Sequence, residues 1–315
     1  MVKKIFIEIP SWLGDAIMAT PAIQNIIKTY PEAKITLLSS FVSTQAFEGY
    51  PNVERVLVDN TKKDGNRYKN LISLAKDIGK VDLAISFRRS FSSKFMMFFI
   101  KAKRKFNYKR LTKKEIHLAI RYNDFVNKAL KLKNEVGDLK LYFEPFKYEK
   151  STFGINPGAT YGSAKRWYPQ EFAKLAISLA SKYDIVIFGG PAETNIAKDI
   201  EEELIKNKIT NYQNLAGKTS IKELIQKIAG LELFVTNDSG PMHVAAAYKV
   251  KTVAVFGPTK FTETNQWKND KNGLIVTKNL ECAPCMKREC PLKHHNCMKS
   301  ITANDVMSAI SKLEE

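Results

Sequence analysis

Cysteine is absent from residues 1–281; all four Cys fall between 282 and 297, so no disulfide framework spans the chain and a reducing compartment is expected. Long apolar runs are lacking as well. The longest candidate, Phe95 to Ile100, sits between Lys94 and Lys101 and falls far short of the ~18 apolar residues a membrane helix needs, which excludes a helical membrane-spanning protein. The stretch MVKKIFIEIPSWLGDAIMATPA imitates a signal peptide, but Glu8 and Asp15 interrupt its apolar region, and a cytoplasmic protein is expected. Acidic residues are in deficit, 32 against 50 Lys and Arg, and the net charge of +18 points to an anionic partner. Nucleic acid, anionic lipid and phosphorylated small molecules all qualify. Two nucleotide-binding signatures are missing: G-x-x-x-x-G-K-[ST], which excludes a Walker loop, and G-x-G-x-x-G, which counts against a Rossmann oxidoreductase.

What is present suits two ordinary cores. A length of 315 residues with 44% hydrophobic content fits roughly two domains of about 150 residues. KKIFIEI reads as a strand, PSWLGD as a loop, and Ala16 to Tyr30 as a helical pattern ended by Pro31. Thr20-Pro21 inside that pattern predicts a first turn or a new helix, because Pro removes a backbone hydrogen bond. Strand-like runs at Ile35–Leu38, Val53–Val58 and Leu83–Phe87, with helices at Tyr68–Ile78 and around Ile116–Leu132, indicate a parallel sheet covered on both faces. Near Tyr142 to Thr152 the composition changes and places a linker. Beyond it, FGIN, DIVIFGG, YQNLAG, LELFVTND and KTVAVFG alternate with four helices, a second Rossmann-like unit. Ligands of such sheets bind at the carboxyl ends of the strands, and a cleft between two units is the expected site.

Three loops at those ends carry candidate chemistry. In IPSWLGDAIMATP, Gly14 and Asp15 lie where a strand meets a helix, a position suited to an ionised carboxylate facing a ligand. The plainer alternative is that Asp15 is only an N-cap. In INPGATYGSAKRWYPQEF, Gly158 and Gly162 permit close backbone approach, while Lys165 and Arg166 supply cations, as a phosphate site requires; a solvated basic loop is equally open. In VTNDSGPMHVAAA, Asp238, Ser239 and Gly240 end a strand and open a helix with His243 one turn in, either as a ligand-facing N-terminus or as caps and a core histidine. FGGPAET is a further strand-end loop.

PSWLGD, GATYGSAKRWYP and TNDSGPMHVAAA, in this order and spacing, resemble the ADP-heptose:lipopolysaccharide heptosyltransferases of glycosyltransferase family 9, with heptosyltransferase II the nearest branch; the likeness runs from Lys3 to about Pro258, FGPT included. The resemblance implies a GT-B fold, α/β with two Rossmann-like domains across a cleft: an acceptor-binding domain at 1–148, a nucleotide-sugar domain at 149–302, and a C-terminal helix at about 303–315 packing back on the first. It implies an inverting enzyme that moves L-glycero-D-manno-heptose from ADP-heptose to a heptose of the lipopolysaccharide inner core. Asp15 would be the base and Lys165 would hold the donor phosphates. Thr160 would line the same loop, Glu193 would be the acid near ribose or adenine, and Asp238, Ser239, Gly240 and His243 would form the donor-binding turn. No two Asp are two residues apart, so the Asp-x-Asp motif usual in metal-dependent sugar transferases is missing, and leaving-group stabilisation falls to Lys165 and helix N-termini without a cofactor.

The run Arg88 to Lys114 holds eleven Lys or Arg and no acid, interleaved with aromatics. A solvated helix face is the general expectation for such runs, and nucleic acid is another. Given the resemblance, a lipid A–core acceptor at the inner leaflet fits better than nucleic acid, with Gly14, Arg88, Arg89 and Lys94 as acceptor-binding residues and peripheral membrane contact by Phe95–Ile100 as a further expectation. The alternatives are a basic nucleic-acid-binding protein and another nucleotide-sugar transferase of the same fold. Finally, CAPCMKRECPLKHHNC spaces Cys282, Cys285, Cys290 and Cys297 as C-x2-C-x4-C-x6-C, which suits structural zinc or an iron–sulfur cluster, or reduced, unliganded thiols.

Overall fold

The computed structural model describes residues 2–315, which divide into two compact units at Tyr142/Phe143, six residues ahead of the expected boundary. The first unit holds β1 (Lys4–Glu8), β2 (Lys34–Ser39), β3 (Val53–Val58), β4 (Lys80–Ser86) and β5 (Lys101–Asn107) in the order β3-β2-β1-β4-β5, every pair parallel. The second holds β6 (Thr152–Asn156), β7 (Asp184–Ile187), β8 (Tyr212–Asn214), β9 (Leu233–Asn237), β10 (Lys251–Phe256) and β11 (Gly273–Thr277) in the order β11-β10-β9-β6-β7-β8, also all parallel. Each unit is a doubly wound α/β sheet whose strand order reverses between its first and fourth strands. At that reversal the loops after the two strands diverge to opposite faces and leave a crevice for a ligand. The loops singled out above follow β1, β6 and β9, all strands that border a reversal.

β6 and β9 are buried along their whole length, as expected of parallel strands covered on both faces. The two strands that the sequence pattern did not show are both edges. β5, KAKRKFN, exposes most of its residues, so it carries no apolar alternation, and its Lys and Arg protect an open edge from pairing with another chain. β11 follows the polar stretch Lys268–Asn272, and only Val276 within it is fully buried. The basic run is thus a short helix, Phe91–Phe99, followed by this edge strand. Pro21 does start a new helix, Thr20–Thr29, directly after Leu13–Met18. At the break the Thr20 hydroxyl donates to the Ile17 carbonyl at 2.7 Å and accepts the Lys140 N–H at 3.0 Å.

The C-terminal helix Ala303–Glu314 packs on the second unit, against β10, β11 and the helix Pro169–Leu179, and not on the first unit as expected. Its stripe Val306, Ala309 and Ile310 has helical i, i+3, i+4 spacing and joins the core formed with Phe172, Ala176 and Trp167. Polar contacts hold both ends. Ala303 N–H donates to the Glu171 carboxylate at 2.7 Å, and Glu314 receives Lys182 and the Tyr183 hydroxyl, each at 2.7 Å.

Candidate active site

In the second unit, β6 and β9 are hydrogen-bonded neighbours with Asn156 level with Thr236, so the loops leaving them lie side by side. Two buried asparagines bind these loops together. Asn237 donates to the Pro157 carbonyl at 2.7 Å and accepts the Trp167 N–H at 3.0 Å, fastening the loop 157–167 at both ends, while Asn156 reaches Gly158 O and Ser239 Oγ at 3.3 and 3.4 Å. Within this frame the Lys165 ammonium pairs with the Asp238 carboxylate, and both side chains are largely shielded from water. Asp238 also accepts the Thr259 hydroxyl at 2.6 Å, and the ammonium lies 4.7 Å from the centre of the Tyr161 ring. A charge-assisted pair in so dry a setting holds both groups in place.

The other expected donor residues occupy distinct positions. Thr160 is exposed on the loop. Glu193 is buried, closes its turn by accepting the Gly190 N–H at 2.8 Å, and packs so tightly on Gly158 that a β-carbon there would sit 2.0 Å from its carboxylate. Ser239 is the N-cap of the helix Gly240–Ala247, yet its hydroxyl caps nothing and meets Thr236 Oγ1 at 3.2 Å instead. The first turn of that helix therefore carries no side-chain cap, which suits an anion. His243 is buried within the same helix.

The cysteine segment packs directly on the phosphate-loop candidate. The Arg288 carbonyl accepts the Ala164 N–H at 3.0 Å, Tyr161 donates to the Met286 carbonyl at 3.0 Å, and His295 links the Ala164 carbonyl and the Tyr168 hydroxyl at 2.9 and 3.2 Å. All four cysteines line one small void of about 20 Å³, shared with Ala164 and Pro258. Burial, with the neighbouring thiols acting in the same sense, pushes the Cys297 thiol up to about 11. Among the described residues no three His, Cys, Asp or Glu side chains are placed to hold a metal ion. The expected zinc or iron–sulfur site thus has no support in this arrangement, and what the structure shows of the segment is its packing against the loop. Contact with the loop is closest at Gly162, where a β-carbon would fall 2.2 Å from the Arg288 carbonyl oxygen. Gly162→Ala is expected to cost about 1–3 kcal/mol of stability, the range for overpacking, and to loosen the loop; a thermal-denaturation series with and without nucleotide measures both.

In the first unit, the loop after β1 is held by the Ser39 hydroxyl on Pro10 O at 2.8 Å and by Ser40 on Ser11 O at 2.7 Å. Trp12, not Asp15, is the N-cap of the helix Leu13–Met18; Asp15 stands in its first turn, half-buried, beside buried Gly14. Its charge adds to the dominant effect of burial in pushing the Tyr122 phenol upward. Arg88 is engaged inside the fold, with Nη1 3.2 Å from the buried Glu8 carboxylate and 3.4 Å from Asp59. Glu8 also accepts Ser86 and Ser93 at 2.5 and 2.8 Å. Arg89 and Lys94 remain at the surface and, with Asn107, Tyr108, Lys109 and Arg110, line an open recess of about 480 Å³ at the carboxyl ends of β4 and β5.

The glycosyltransferase family 9 (heptosyltransferase) profile matches residues 80–296. Lipooligosaccharide heptosyltransferase 2 of Campylobacter jejuni subsp. jejuni serotype O:2 is 43% identical over 98% of both chains. This chain belongs to glycosyltransferase family 9. The family extends to more distant relatives of this enzyme, including lipooligosaccharide heptosyltransferase 2 of Haemophilus influenzae, 29% identical over 96% of this chain and 97% of the other. Among solved structures, E. coli ADP-heptose lps heptosyltransferase II superposes with a TM-score of 0.81 at 24% identity, covering 98% of each chain, which establishes the same fold. The paired Rossmann-like units of this family 9 glycosyltransferase are those of the GT-B class.

The fold of the family 9 enzyme thus brings Lys165, Asp238, Ser239 and Gly240 to one strand-order reversal, with Glu193 packed on Gly158 beside them. Gly14 and Asp15 lie at the other reversal, after β1. Arg88 is drawn away from the surface group formed by Arg89 and Lys94. Sequence reasoning did not reach Tyr161, Asn237 and Thr259 as site residues, because their roles come from contacts across 4 to 80 positions. Glu8 had a signal that was put to another use: a carboxylate in an otherwise apolar parallel strand must have a partner.

Proposed function

We propose that this family 9 glycosyltransferase moves L-glycero-D-manno-heptose from ADP-heptose to a heptose of the lipopolysaccharide inner core, with inversion at the transferred carbon. The observation that carries this reading is the shielded Lys165–Asp238–Thr259 arrangement at the strand-order reversal of the second unit, next to the uncapped first turn of Gly240–Ala247. A diphosphate there meets an ammonium and helix N–H groups, which are the partners a departing ADP needs. Asp15 takes the proton of the acceptor hydroxyl, the oxygen attacks the anomeric carbon, and the bond to the diphosphate oxygen breaks, with the negative charge received by Lys165. No cofactor enters these steps. The second unit is the nucleotide-sugar unit and the first the acceptor unit, in which Arg89 and Lys94 face the acidic groups of the acceptor core at the basic recess.

Calorimetry with ADP tests the donor assignment. Lys165→Ala is expected to weaken ADP by about 1.5–3 kcal/mol, the value of a hydrogen bond to a charged group, and to slow ADP release from ADP-heptose with truncated core acceptors. Unchanged affinity and transfer would remove Lys165 from the site. A location on the cytoplasmic face of the inner membrane belongs to the same reading. No helix of the described residues is long and apolar enough to cross a membrane, while Phe91 and Phe98 of the helix Phe91–Phe99 are 70% and 77% exposed beside the cations of β5. Apolar rings among Lys and Arg suit peripheral contact with an anionic bilayer surface.

A further inference from the structure

Two cations lie against the Tyr161 ring. The Lys165 ammonium is 4.7 Å from its centre and the Arg288 guanidinium carbon 5.5 Å. They differ in what else they touch. Lys165 is neutralised by Asp238, so the pair presents little net charge to a ligand. Arg288 is exposed and has no carboxylate within ion-pair distance among the described residues. Its main chain is nevertheless fixed to the phosphate-loop candidate, through the Ala164 N–H on its carbonyl at 3.0 Å and the close packing of Gly162 against that carbonyl. The neighbouring Met286 carbonyl accepts the Tyr161 hydroxyl at 3.0 Å. An uncompensated guanidinium is thus carried by backbone that cannot move independently of the loop.

We infer that Arg288 is a second ligand of the donor's diphosphate, acting with Lys165 beside Tyr161. The inference rests on the proposed reading that the loop Gly158–Lys165 receives that diphosphate. A leaving diphosphate carries more than one negative charge, and one ammonium already shared with a carboxylate leaves most of it unmatched. A guanidinium supplies parallel N–H donors to two phosphate oxygens at once and stays charged at every working pH. This contact also gives the cysteine segment a function: it holds Arg288 in place beneath the donor while its thiols take no part in the chemistry.

The test is titration of full-length Arg288→Ala, Arg288→Gln and Arg288→Lys with ADP by calorimetry and with adenosine by ligand-observed NMR, with Lys165→Ala as the reference. Arg288→Ala and Arg288→Gln are expected to bind ADP about 10-fold or more weakly with adenosine unchanged, and Arg288→Lys to recover part of the loss. The loss is expected to shrink as salt rises, as a charge contact open to solvent requires. If Lys165→Ala weakens ADP and Arg288→Ala does not, Arg288 is no ligand and the loop reading stands. If neither variant changes ADP affinity, the loop reading fails and the inference fails with it. Equal loss of ADP and adenosine would overturn it too, by making Arg288 a support of the fold.

Discussion

Asp15→Asn is expected to lower turnover at least about 100-fold, the low end of what a positioned general base contributes, while ADP affinity stays at the wild-type level. The amide keeps the shape of the carboxylate in the first turn of Leu13–Met18 and removes only its ability to take a proton. Gly14 beside it is buried and Tyr122 is fully enclosed, so the surroundings that aim the side chain are rigid and the substitution leaves them in place. ADP release from ADP-heptose and a truncated core acceptor reads the effect. Turnover near wild type would take Asp15 out of the mechanism and leave the proton to another group.

Arg88→Met is expected to cost about 3 kcal/mol of folding stability at pH 7.5, the low end for breaking a buried ion pair, because Ser86 and Ser93 still hydrogen-bond to Glu8. The cost depends on pH in a defined direction. Burial pushes the Glu8 carboxyl above its ordinary 4.5, and Arg88 with the two serines pulls it only part of the way back. Between 4.5 and its folded value the native state keeps a proton that the unfolded state releases, so Glu8's contribution to stability is greatest below 4.5 and declines as pH rises through that window. Without Arg88 the carboxyl moves higher still. The variant's deficit is therefore smaller at the lower pH and grows as pH rises, which urea unfolding of both proteins at pH 5 and pH 7.5 measures. A deficit independent of pH would mean that the packing of the Arg88 stem, and not the charge on Glu8, is what the substitution removes.

Much of the candidate site was legible as a grouping of loops because its residues are clustered in sequence. Gly158, Lys165, Asp238 and Gly240 sit in loops that end strands, and in a parallel sheet every such loop emerges on the same edge. Arg88 was misplaced for a related reason. Its position after β4 marks it as an edge residue, but nothing local reveals that Glu8, 80 positions earlier, lies level with Ser86 on the neighbouring strand and claims its charge. The cysteines show what spacing leaves open: their pattern suits a ligand set, yet it does not say whether the side chains are placed to share an ion, and among the described residues no such group is found.

The amino-acid sequence alone determined the two α/β units, most of their strands, a break in the helical pattern at Pro21 and the family, since periodicity, loop chemistry and motif order are properties of neighbouring residues. Tertiary structure alone decided which charges are available. Cations near to an acid in sequence or far from one look alike in a string, but packing ties Lys165 to Asp238, sinks Arg88 against Glu8 and leaves Arg288 and Lys94 exposed. It also decided that Ala303–Glu314 belongs to the second unit, because an amphipathic helix shows that it must bury a stripe and not where the matching surface lies.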